Sequence, residues 1–197
     1  MRMAGLVGRV ARIYRSNPRL HRFYEKYPNR LWKHQATRPN EIWVGDVTYL
    51  AVAGKWRYLA VVMDQCSRRI LGWSLGRKRG TTLTRAAFDL AARGRSPKRG
   101  LIFHSDRGSE YAGTGMGDRL KALGVLQSMT RGGCPSDNPH AESFFHSMKA
   151  DVIHGVRFTH DEQLRACIRS YIPFYNYQRS HSSLGFVSPI EYEKRVA

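Results

Sequence analysis

The sequence predicts an α/β domain built on five short strands, with a basic arm in front of it. Short runs of β-branched and aromatic residues recur between turn residues, and stretches of helical periodicity separate the later runs. In addition, 42% of the 197 residues are hydrophobic, enough for a sizeable core. Residues 42–50 (IWVGDVTYL) open the pattern. Residues 55–64 (KWRYLAVVMD) follow after Gly54, and residues 69–75 (RILGWSL) follow after Ser67-Arg68. Links this short predict an antiparallel meander. Residues 81–93 place Leu83, Ala86, Ala87, Leu90 and Ala91 on one face of a helix, with Thr81 or Thr82 as its cap. Residues 101–104 open a fourth strand, 117–124 form a short helix closed by glycine, and 125–129 form a fifth strand. Gly132, Gly133, Pro135 and Ser136 predict a mobile loop. Helices over 140–154 and 161–178 complete the order, the second bent at Pro173.

Charge narrows the function. The formal net charge is +18, with a pI near 10.5. Residues 1–40 hold ten Lys and Arg against one acid, Glu25. Such a balance predicts a polyanionic partner, most simply nucleic acid, and leaves a basic ribosomal or architectural binder as the plain alternative. No apolar run approaches the ~20 residues of a membrane span, and the short apolar stretch after the first arginines is no secretory signal. Cys66, Cys134 and Cys167 form no pairing frame, which suits a reducing cytosol.

Three acids stand where acids are costly. Asp46 is in phase with Ile42, Val44 and Leu50 on the first strand. Asp106 closes the apolar run 101–105, at the strand end where α/β sheets commonly build sites. Glu142 sits in the first turn of the helix after the Gly/Pro loop. Three hard oxygen donors converging at one sheet end suit magnesium or manganese. Zinc is a poorer fit, because His104, Cys134 and His140 lack paired-ligand spacing.

The motifs around these acids carry a resemblance. They are WVGDVTY (43–49), DQCSRRILGW (64–73), HSDRGSEY (104–111), DNPHAESFF (137–145) and YNYQRSHSSLG (175–185) followed by Ser188-Pro189. From about residue 38 onward the chain resembles the catalytic part of insertion-sequence transposases, of the orfB type in group three, with an integrase-like DDE core. The resemblance implies a ribonuclease H-like fold, a mixed five-stranded sheet flanked by helices. It implies that Asp46, Asp106 and Glu142 are catalytic and hold two Mg2+ (or Mn2+) ions. The implied activity is cleavage of DNA at element ends followed by strand transfer, by a homo-oligomer on DNA in the bacterial cytoplasm, associated with the nucleoid. Glu142, His146 and Lys149 share a helix face, so His146 and Lys149 are expected to reach DNA, with Phe145, Met148 and Val152 behind them as a core stripe. Arg107, Arg131 and the arm residues Arg9, Arg12 and Arg15 are further expected DNA contacts.

The chain is expected to divide into a basic arm (1–38), the remnant of a helix-turn-helix and linker region, and a core with a C-terminal helical extension (39–197). A separate helix-turn-helix chain is an expected partner, and a DNA-binding remnant that no longer transposes is the alternative function. Two departures from the family pattern stand out. Glu110 replaces the usual Gln, placing an extra carboxylate near Asp106, and Pro139-His140 replaces the usual small residues before Glu142. Asp64 and Asp137 are expected to shape the hairpin and the helix entry. The motif with Asn176, Arg179 and His181 is expected to brace the sheet.

Overall fold

The computed structural model describes residues 26–31, 34–131 and 138–196. Arg9, Arg12, Arg15, Cys134 and Asp137 therefore lie outside the described residues. Strands β1 (Ile42–Val52), β2 (Lys55–Asp64) and β3 (Ile70–Gly76) form the antiparallel meander. Ala53 and Gly54 both have positive φ, the conformation of a tight two-residue hairpin. Helix α1 (Thr81–Arg95) carries the chain to β4 (Ile102–Ser105). The short α2 (Ser109–Ala112) and α3 (Thr114–Ala122) lead to β5 (Leu126–Met129). Both β4 and β5 add in parallel, giving one mixed sheet in the order β3-β2-β1-β4-β5. Helix α4 (Pro139–Met148) widens into a π-helical turn (Lys149–Ile153), and α5 (Asp161–Tyr177) and α6 (Pro189–Val196) follow.

Alternation along β1 and β2 sends successive side chains to two separate cores. Ile42, Val44, Leu59, Val61 and Met63 pack against Phe144, Met148, Leu164, Ile168 and Tyr175 of α4 and α5. On the other face, Trp43, Ala60, Val62 and Phe103 pack against Ala87, Phe88, Ala91, Met116 and Leu120 of α1 and α3. The result is a helix–sheet–helix sandwich. No helix among the described residues is long and apolar enough to cross a membrane.

Helix α1 differs from expectation in its buried face. Leu83, Ala87 and Ala91 are buried, but Ala86 and Leu90 are exposed, and Thr84, Phe88 and Ala92 are buried in their place. The cause is Phe88, whose ring lies 5.2 Å from Phe103 and 6.0 Å from Trp43 and turns the helix toward its own side. Neither Thr81 nor Thr82 caps the helix. Gly80 is the N-cap residue and Thr81 packs instead on Gly113. Helix α5 continues through Pro173 to Tyr177.

Close approach of α1 to β3 depends on Gly72, where an added Cβ would collide with the Ala87 carbonyl and the Ala91 amide. Backbone cannot yield as a side-chain tip can. Gly72→Ala is therefore expected to cost about 3 kcal/mol, read as a lower urea midpoint at unchanged slope; a midpoint equal to wild type would show that the helix simply moves outward.

The C-terminal motif behaves as a brace. Asn176 grips both backbone groups of Ile70, accepting its N–H at 2.9 Å and donating to its C=O at 2.9 Å. This satisfies the two backbone groups of buried Ile70 at the start of β3, an edge strand of the sheet. Arg179 and the Tyr171 hydroxyl both donate to Asp151, tying α5 to the π-helical turn. Asp64 shapes the hairpin as expected, accepting from the backbone of Asn40 and Ser67.

Candidate active site

Parallel pairing of the two central strands brings the first two acids together. Gly45 of β1 is in register with Ser105 of β4, so Asp46 and Asp106 occupy the next step on neighbouring strands, which run about 4.8 Å apart. The third acid is delivered by Asn138, which is buried and donates to the carbonyl of Gly45 at 3.2 Å. That bond ties the start of α4 to the residue before Asp46. Pro139 then occupies the first turn, where its missing N–H costs nothing, and Glu142 follows within the same turn.

Helix α4 presents two faces. Ala141, Phe144, Phe145 and Met148 are buried against the sheet, while Glu142 and His146 are exposed. Lys149 lies half-buried with its Nζ 5.1 Å from the centre of the exposed Tyr49 ring. Glu142, His146 and Lys149 thus share the outer face, as their spacing predicts. Arg107 donates to the carbonyl of Thr130 at 2.7 Å, fastening the turn after β4 to the end of β5, and Arg131 is half-buried just beyond.

The electrostatics are those of crowded negative charge. Burial, with repulsion from Asp106 and Glu142, pushes the Asp46 carboxyl up to about 7. Asp106 is also raised, by burial first and by Glu110. Each carboxylate turns to a backbone amide: Asp46 accepts from Val47 at 2.7 Å and Asp106 from Gly108 at 3.0 Å. Among the described residues, no group of three or more His, Cys, Asp or Glu side chains is placed so that it could hold a metal ion.

Two participants escaped the sequence reading. Arg79 comes from the polar link after β3, reaches Glu110 at 2.7 Å and lies 3.9 Å from Asp106. An Arg-Lys-Arg-Gly stretch reads as a solvated loop, so nothing in the pattern marks it. Tyr111 is 1% exposed and its hydroxyl has no hydrogen-bond partner among the described residues. Burial, reinforced by Asp46, Asp106 and Glu110, holds that phenol well above its ordinary value.

A mixed sheet of this order, with helices on both faces and carboxylates at its two central strands, defines the ribonuclease H-like class. Residues 36–135 match the Integrase core domain, and a second profile with that description matches residues 123–189. The chain belongs to the integrase core domain family. It is 40% identical over 161 residues to the transposase InsF for insertion sequence IS3A of Escherichia coli (strain K12). It is 38% identical over 167 residues to the transposase for insertion sequence element IS904 of Lactococcus lactis. These matches take in 81% and 84% of this chain but 56% and 65% of the relatives, so the chain spans little more than half the length of the first.

Solved structures share the fold at low identity. The HTLV-2 integrase catalytic core domain in complex with magnesium superposes with a TM-score of 0.58 at 18% identity, over 81% of this chain and 99% of that one. The simian T-cell lymphotropic virus intasome in complex with PP2A regulatory subunit B56 gamma gives 0.68 at 16% identity, over 81% of this chain and 56% of that one.

Proposed function

We propose that this chain carries the catalytic core of an insertion-sequence transposase, a metal-dependent DNA strand transferase with Asp46, Asp106 and Glu142 as its catalytic and ion-binding residues. The observation that supports the reading is the register of β1 and β4, which sets Asp46 and Asp106 one step beyond the Gly45–Ser105 pair, together with the Asn138–Gly45 bond, which ties the start of the helix bearing Glu142 to the residue before Asp46. The donor chemistry fits the ion: all three are hard carboxylates, and their mutual repulsion is the kind that a divalent cation relieves. Asp46, Asp106 and Glu142 would hold two magnesium or manganese ions, which supply activation of a water or 3′-hydroxyl and stabilise the leaving oxygen.

The protein's own groups would position the DNA. His146 projects from the helix that bears Glu142 and Lys149 from the π-helical turn that continues it, and Arg107 and Arg131 flank the strand ends; all are suited to phosphate contacts that orient without reading bases. Arg9, Arg12 and Arg15 of the basic arm (1–38) would add further phosphate contacts to those of the core (39–197). No side chain needs to attack phosphorus, so one site can cleave first and join second by exchanging its nucleophile. The transposase names of the two relatives support DNA as substrate. We read the working form as a homo-oligomer on DNA in the cytoplasm, near the nucleoid, with end recognition supplied by a helix-turn-helix region, in this polypeptide or a partner chain. The test is incubation with manganese and a duplex carrying the flanking terminal repeats. Nicked and joined products are expected; intact duplex in the presence of protein that binds it would leave only a DNA-binding role.

A further inference from the structure

We propose that Arg79 and Glu110 form a matched charge pair that keeps Glu110 out of the ion-binding set and tunes the affinity of the Asp46–Asp106 cluster for a divalent cation. The proposal rests on the reading of those acids as ion ligands given above.

Glu110 is only 3% exposed, and a buried carboxylate is costly unless it is paired. Its partner is Arg79, with Nε at 2.7 Å and a second guanidinium nitrogen on the same oxygen. Two further contacts hold Glu110 in place. The Thr84 hydroxyl donates to its carbonyl at 2.9 Å, anchoring α2 to α1. Gly108 lies flat against its carboxylate, and any Cβ at that position would collide with it. The side chain is therefore held beneath the Asp106 turn, toward Arg79.

Arg79 stands between two acids. The guanidinium that grips Glu110 is 3.9 Å from Asp106 Oδ2, and its side chain is half exposed, so it enters from the solvent side. A cation arriving at Asp106 repels Arg79, which already has a nearer partner to rest on. Remove Glu110's charge and Arg79 has only Asp106 to pair with, where it competes with the ion. Remove Arg79 and an uncancelled negative charge is added beside the cluster. The two substitutions thus shift ion affinity in opposite directions, and together they cancel.

The experiment is a Mn2+ titration of the full chain without DNA, read by electron paramagnetic resonance of the free ion. Solvent screening of the half-exposed Arg79 limits each effect to about tenfold. Glu110→Gln is expected to weaken binding about tenfold and Arg79→Ala to tighten it by a similar factor. The double variant should return to within about threefold of wild type, and Arg79→Lys, which keeps the charge, should stay near wild type. Singles that shift in the same direction, or a double variant that fails to restore affinity, overturn the proposal. Glu110→Gln is nearly isosteric and decides alone if Arg79→Ala does not fold: unchanged affinity rejects the pair. Asp46→Asn separates the two levels. If it binds Mn2+ like wild type, the ion-ligand reading itself fails; if it loses binding while Glu110→Gln does not change it, only the charge-pair proposal fails.

Discussion

Asp46→Asn, Asp106→Asn and Glu142→Gln are each expected to lower strand cleavage and joining by at least about a thousandfold, roughly 4 kcal/mol of transition-state stabilisation. Each change keeps the shape of the side chain and removes one negative charge, so binding of DNA should persist. Less repulsion from phosphate can even strengthen it. The effect is large because the three acids act as one unit around the reacting phosphate, and losing any one disables the others. Gel-shift and product assays on the same preparations separate the two steps. If one variant keeps wild-type turnover, that residue leaves the set. Among the alternatives, Asp64 is committed to backbone amides and Glu110 to Arg79.

The second large effect is on stability, and its sign follows from Asp46. Its carboxyl is raised from an ordinary 3.8 to about 7, by burial and by repulsion from Asp106 and Glu142. Between those values the folded protein holds a proton that the unfolded chain has released. The contribution is fully present below about pH 4 and is lost as pH rises through 7. Three pH units correspond to about 4 kcal/mol, or about 10 °C in Tm for a domain of this size. A divalent cation replaces the proton, so the stabilisation by millimolar Mg2+ over a chelator should be near zero at pH 5 and greatest near pH 8. Melting curves across that range check it. A magnesium effect that is equal at both pH values would detach the ion from Asp46.

Much of this architecture was legible because its elements announce themselves. Strands β1 to β3 carry dense β-branched and aromatic runs between turn residues, and their observed ends lie within two residues of the expected ones. Asp46 stood out in the sequence because an acid in phase with Ile42 and Val44, both buried in the structure, is costly to place. The parts that were missed depend on tertiary contact. Ala86 and Leu90 fit an apolar stripe as well as Thr84 and Ala92 do, and only the Phe88 contact with Trp43 and Phe103 decides the rotation of α1. Helix α2 is a single turn with no periodicity to read. The π-helical turn at Lys149–Ile153 interrupts a segment that reads as plain helix over 140–154. Helix α6 had a signal, Pro189 at its start, which a motif reading of Ser188-Pro189 passed over. Arg79 was invisible for a different reason: its role exists only once β3, α2 and the Asp106 turn meet.

Anomalous scattering from crystals grown with Mn2+ tests the central claim most directly. Peaks within about 2.2 Å of carboxylate oxygens of Asp46 and Asp106, with Glu142 completing the set when DNA is bound, are the predicted result. Well-ordered crystals at millimolar manganese with no peak at these residues, or with the ion on Glu110 or Asp64 instead, would contradict it.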